Sequence, residues 1–96
     1  MLVGIVVGNV WATRKEDALN GLKLMVVQRL DLAHNKLAES FVAVDCVGAG
    51  TGEKVLITTG SSARKALFNE EAPVDAAIVG ILDQEDMMAC KAPRKE

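Results

Sequence analysis

The sequence predicts a small all-β protein: five short strands closing into an OB-like barrel, with one short helix and apolar surface that favours association with other subunits. Three observations carry that expectation. Apolar and β-branched residues gather in five short runs. Glycine-rich and polar stretches with turn chemistry separate the runs. Finally, half of the 96 residues are apolar and the mean hydropathy is +0.21, although a body this small buries only about 60–65% of its surface. Either the strands are apolar on both faces within one barrel, or apolar surface is hidden against other subunits. Small size with high apolar content favours the second.

The first strand is expected at Leu2–Val7, β-branched on both faces, with Gly4 inside marking a bend or a close backbone approach. A polar connection from Thr13 to Asp17 closes at the turn pair Asn20-Gly21. Leu22–Leu30 then alternates. Leu22, Leu24, Val26, Gln28 and Leu30 share one face, and Lys23, Met25, Val27 and Arg29 the other. Ala33–Ser40 is polar and reads as a connection, so the third strand is expected at Phe41–Val47 and the fourth at Lys54–Thr59. Ser61 or Ser62 can cap a helix over Ala63–Phe68, with Glu70-Glu71-Ala72-Pro73 ending it because proline cannot continue a helix. The fifth strand is expected at Ala76–Leu82. The barrel domain spans residues 1–86, with a charged tail at 87–96. Five strands match an OB-like barrel, with one departure: the helix follows strand four instead of strand three.

Composition removes several function classes. Eleven basic residues face thirteen acidic ones, a net charge of −2, which disfavours phosphate backbones as partners. Trp11, Phe41 and Phe68 are the only aromatics, too few for a platform that stacks single-stranded bases. Met1–Val7 is too short for a secretory signal and lacks its basic start. No run approaches the ~18 apolar residues of a membrane span. The expectation is a cytoplasmic protein that binds neither nucleic acid nor membrane. Cys46 and Cys90 form neither a disulfide framework nor a zinc site. Cys46 reads as a small core residue and Cys90 as part of the tail.

No residue pattern supports catalysis, a cofactor or a metal. Gly48-Ala49-Gly50-Thr51-Gly52 has the wrong spacing for a dinucleotide loop, whose third glycine falls at Glu53, and no lysine follows Gly52 as a triphosphate loop requires. It reads as a tight turn or a pore-lining loop. Ser62-Ala63-Arg64-Lys65 matches the S-x-x-K pattern of acyl-serine enzymes but lacks its companion motifs, so helix capping is the better reading. His34 stands alone. Asp45, Asp75 and Asp83 each end an apolar strand. Two readings stand side by side for them: hydrogen bonds to turn amides, or salt bridges to Arg14, Arg29 or Arg64 of another subunit. By its residues alone the chain is a scaffold or a binding module.

Three stretches resemble the EutN/CcmL family of bacterial microcompartment vertex proteins. They are Gly8-Asn9-Val10-Trp11-Ala12-Thr13-Arg14-Lys15, then Leu19-Asn20-Gly21-Leu22-Lys23-Leu24, and most specifically Val44–Leu56 followed by Gly60-Ser61-Ser62-Ala63-Arg64. Val74–Asp83 completes the likeness, which covers residues 1 to about 86. Trp11, where smaller residues are frequent, and Met87-Met88-Ala89-Cys90 depart from the pattern.

The resemblance implies a non-enzymatic shell protein, without cofactor, in which five copies form a ring around a narrow opening. The ring would cap the corners of a polyhedral microcompartment and contact six-fold, hexameric facet proteins through its rim. It further implies that Gly48, Ala49, Gly50, Thr51 and Gly52 lie near the ring axis. Thr13, Arg14, Asp45, Ser61, Ser62, Arg64 and Asp83 would lie near subunit boundaries. The rival expectation is an OB-like module for an oligonucleotide or small ligand, which the acidic balance and scarce aromatics disfavour.

Overall fold

In the computed structural model, residues 1–10, 21–69 and 73–83 are described. The expectations at Trp11, Thr13, Arg14, Glu70, Glu71, Cys90 and the tail lie outside them. The elements are β1 (Leu2–Asn9), β2 (Leu24–Asp31), β3 (Lys36–Asp45), β4 (Lys54–Thr59), α1 (Ser61–Ala66) and β5 (Ala76–Leu82). The strands close into a barrel in the order β1-β2-β3-β5-β4, with β4 returning to β1. All pairs are antiparallel except β3 with β5, which are parallel over two register pairs, Val44↔Ala77 and Asp45↔Ile78. Closure gives doubly apolar strands a partner on each side and leaves few free edges. The helix lies between β4 and β5, where the sequence places it.

Val6, Met25, Val27, Ala43, Val55, Ile57 and Ile78 fill the interior. On β2 the inward face is therefore the one carrying Met25 and Val27. Leu24 and Val26 point outward and are only partly covered. Both faces of this strand are apolar, so alternation alone leaves their inside and outside undetermined. Gly4 is the close approach its place in a strand suggests. A Cβ there would stand 2.5 Å from Val27 Cγ1 and 2.9 Å from the Gln28 carbonyl oxygen.

Two expectations are corrected. The third strand begins at Lys36, not Phe41, and ends at Asp45. Gln28↔Ser40, Leu30↔Leu37 and Asp31↔Lys36 extend its ladder with β2 through the stretch read as a polar connection. The start of β3 is mostly exposed, so its side chains carry no apolar alternation to announce a strand. Backbone pairing and two side-chain contacts hold the arm instead. Gln28 Nε2 donates to the Ala38 carbonyl at 3.1 Å, and Arg29 Nε to Glu39 Oε2 at 2.9 Å. At the hairpin tip Asp31 receives the amide of Ala33 (3.1 Å) and pairs with His34 Nδ1 (2.8 Å).

The helix also begins and ends earlier than expected, at Ser61 and Ala66 instead of Ala63 and Phe68. Its N-cap is Gly60 at φ 64°, with no capping side chain. The serines occupy the first helical positions, so their hydroxyls do not serve as caps. Nor does Pro73 stop the helix. Its end is a Schellman closure, in which the Phe68 amide donates to the Lys65 carbonyl (3.0 Å) and the Asn69 amide to the Arg64 carbonyl (3.1 Å).

Candidate functional site

The loop from Cys46 to Glu53, between β3 and β4, is organised by one carboxylate. Asp45 Oδ1 accepts the amides of Val47 and Gly48, both at 3.0 Å. Its Oδ2 accepts the Ala49 amide at 2.9 Å and faces Lys23 Nζ at 3.2 Å. Lys23 Nζ also donates to the Ala49 carbonyl at 3.2 Å. The Asp45 side chain is 1% exposed. Burial opposes its charge, but the amides of Val47 and Ala49, the Lys23 ammonium and the Gly48 amide together outweigh that. They hold the carboxyl below its ordinary pKa. Of the two readings of Asp45, the structure makes the turn-amide one: its ion pair is with Lys23, inside the same chain.

The far end of the loop is fastened to β1. Gly52 donates to the Val6 carbonyl at 2.7 Å, and Val6 to the Glu53 carbonyl at 3.0 Å. Glu53 Oε1 folds back to accept the Gly50 amide at 2.6 Å, while Ala49 is buried in the core cluster. Gly48 (φ 82°) and Gly52 (φ 92°) occupy left-handed backbone that favours glycine. Gly50 differs. Its φ is not in that region, and a Cβ there would meet only Glu53 Oε1, at an ordinary 3.5 Å. Nothing inside the subunit requires a glycine at position 50.

The remaining expected boundary residues divide between the two ends of β4. Ser61, Ser62 and Arg64 follow its C-terminus, while Asp83 follows β5 beside its N-terminus, as the pair Lys54↔Leu82 fixes. Six extended residues separate these ends by about 20 Å, so the fold does not gather them into one cluster. Ser61 and Ser62 are exposed. Arg64 Nη1 donates to the Val74 carbonyl at 3.0 Å, and Gly60 to the Asp75 carbonyl at 2.8 Å. Both bonds tie α1 to the entry of β5. Thr13 and Arg14 lie outside the described residues.

Cys46 is a further correction. It is exposed: its amide still donates to the Ile78 carbonyl of β5 at 3.1 Å, but it lies one residue past the end of β3 and its side chain stays outside the core. Burial first, and the neighbouring Asp45 charge second, push its thiol pKa up, the opposite of an activated nucleophile. No group of His, Cys, Asp or Glu among the described residues could hold a metal.

What the outer surface does offer is apolar area. Val7, Val42, Val47 and Ile81 are each more than 40% exposed, and Phe68 is 96% exposed. Leu24, Val42, Val44, Pro73 and Val74 line a hollow of about 170 Å3. Sequence reading misses Phe68, which it places as the last residue of the helix. The left-handed turn that lifts this side chain off the body leaves no signature in the residue type.

A closed barrel with its polar loop groups paired internally and apolar side chains outside is the surface of an assembling structural subunit. The chain belongs to the family described as ethanolamine utilisation protein EutN/carboxysome, whose profile matches residues 1–83. It is 49% identical over 83 residues to the carboxysome shell vertex protein CcmL of Synechococcus elongatus, covering 86% of this chain and 84% of that one. The solved structure of CcmL from Nostoc sp. superposes with a TM-score of 0.79 at 46% identity, covering 86% and 89% of the two chains. GrpN, a pentameric microcompartment shell protein from Rhodospirillum rubrum, superposes with a TM-score of 0.76 at 44% identity over 88% of this chain and 95% of its own. Its relatives are structural shell proteins, not enzymes.

Proposed function

We propose that this chain is a structural shell protein whose five copies form a ring that closes the corners of a bacterial microcompartment. The observation that carries the reading is the superposition on pentameric GrpN across nearly all of this chain. The physical case agrees. A ring subunit meets its two neighbours through two different patches, so the interface is heterologous and closes by rotation. Such an arrangement covers outward apolar residues on more than one side of the barrel, as Val7, Val42 and Ile81 require. Rings of this kind would fit among six-fold facet proteins in a shell assembled in the cytoplasm.

Within the ring, the loop Gly48–Gly52 lies nearest the axis. Gly50 supports this placement, since the isolated subunit gives no reason for a glycine there, whereas converging symmetric copies leave no room for a side chain. Ser61, Ser62, Arg64 and Asp83 lie toward the neighbouring subunits, and Asp45 shapes the axial loop from within. The test is to co-express hexameric facet proteins with and without this chain and image the products by electron microscopy. Closed polyhedra that form only when the chain is present support the reading. Equal closure without it, and no incorporation of the chain, would refute it.

A further inference from the structure

We propose that Phe68 is the aromatic anchor through which each subunit holds its neighbour in the ring, an inference that rests on the pentameric reading above. Phe68 occupies the position just past the helix cap in a complete Schellman closure, at φ 57°. That position usually falls to glycine, because a Cβ in the left-handed region crowds the following carbonyl. Here the chain sets one of its three aromatic side chains there and leaves it 96% exposed. The isolated subunit therefore carries a strained backbone and a wet aromatic ring together, and gains core packing from neither.

Non-glycine residues held in this region cluster at functional sites, and aromatic residues, phenylalanine among them, are enriched at the cores of protein interfaces. The neighbour fits best as occupant. Neighbours that superpose over 88% of this chain are pentameric shell proteins, so another copy of the chain is the occupant that the assembly supplies. The apolar hollow lined by Leu24, Val42, Pro73 and Val74 gives the next copy a surface of the right chemistry to receive the ring. A heterologous contact needs such an unlike pair of patches on every subunit.

Two substitutions separate the anchor from the fold. Phe68→Asn keeps a residue that accepts the left-handed conformation but removes the apolar bulk, and Phe68→Leu keeps the bulk. Native mass spectrometry and sedimentation across a dilution series read assembly, and urea unfolding of each dissociated chain reads the fold. The Asn variant should unfold at no lower urea concentration than the unsubstituted chain. Its pentamer should dissociate at roughly tenfold or more higher concentration, while the Leu variant stays close to the original. An Asn variant that assembles as tightly as the original would overturn the proposal. So would one that unfolds more easily, since Phe68 would then serve its own subunit, or a Leu variant as weak as Asn. An unsubstituted chain that is monomeric at every concentration would instead sink the pentameric reading itself.

Discussion

Asp45 gathers three backbone amides and one ammonium onto a single buried carboxylate, and the shape of the following loop depends on it. Asp45→Ala would leave those donors without their acceptor, so urea unfolding should show a loss of about 3 kcal/mol. The pH dependence follows from the depressed pKa. Such a group stabilises the fold fully above its unfolded pKa and loses that contribution as pH falls through the lower folded one. The stability gap between the original chain and Asp45→Ala should stay level from neutral pH to about pH 5 and shrink below about pH 4. A gap independent of pH would mean that the charge is not what holds the loop. The glycines next to it divide by conformation. Gly48→Ala and Gly52→Ala should each cost about 1 kcal/mol in the same measurement, whereas Gly50→Ala should be nearly neutral for the barrel. A bulky residue at position 50 should leave the barrel folded and block ring closure, and intact rings from Gly50→Trp would remove this loop from the axis. Sequence shows Asp45 at a strand end but leaves its partner open between an amide and another subunit: the amide bonds reach two to four residues along the loop, while the ion pair to Lys23 depends on how β2 and β3 meet. Cys46 shows a similar dependence: an apolar run suggests burial, yet one residue past the end of β3 its amide still pairs with Ile78 while its side chain is exposed.

At the scale of elements, β4 and β5 run over the residues their sequence predicts, because each has an apolar inward set bounded by polar or glycine residues. The first half of β3 does not declare itself. Lys36 to Ser40 lies mostly in solvent, and hydrophobic periodicity reports burial instead of backbone pairing. The helix start fails for a different reason. Ser61 and Ser62 are good caps by type, but Gly60 takes the cap position with a positive φ that serine rarely adopts. Ser61→Ala and Ser62→Ala should therefore change unfolding free energy by no more than about 0.5 kcal/mol each, against the ~1 kcal/mol expected for loss of a capping hydroxyl. A full capping loss in either variant would contradict the assigned helix start. Arg64 links this helix to the chain entering β5 through the Val74 carbonyl, a tie between elements that no local pattern predicts.

Across the whole molecule, the barrel, its strand count and the place of its helix are readable from runs and turns, and the glycine and serine segments carry the family likeness. Which apolar residues face outward was not readable, since strands such as β2 are apolar on both sides and only barrel closure decides between them. That outer apolar surface joins the fold to its role. A barrel with Val7, Val42, Ile81 and Phe68 uncovered suits the proposed ring, in which unlike patches of neighbouring copies meet and the rotation between them closes. Native mass spectrometry of the purified chain at micromolar concentration tests this most directly. The account predicts one dominant species with the mass of five 10.2 kDa chains; a spectrum dominated by single chains, or by any other number of copies, would contradict it.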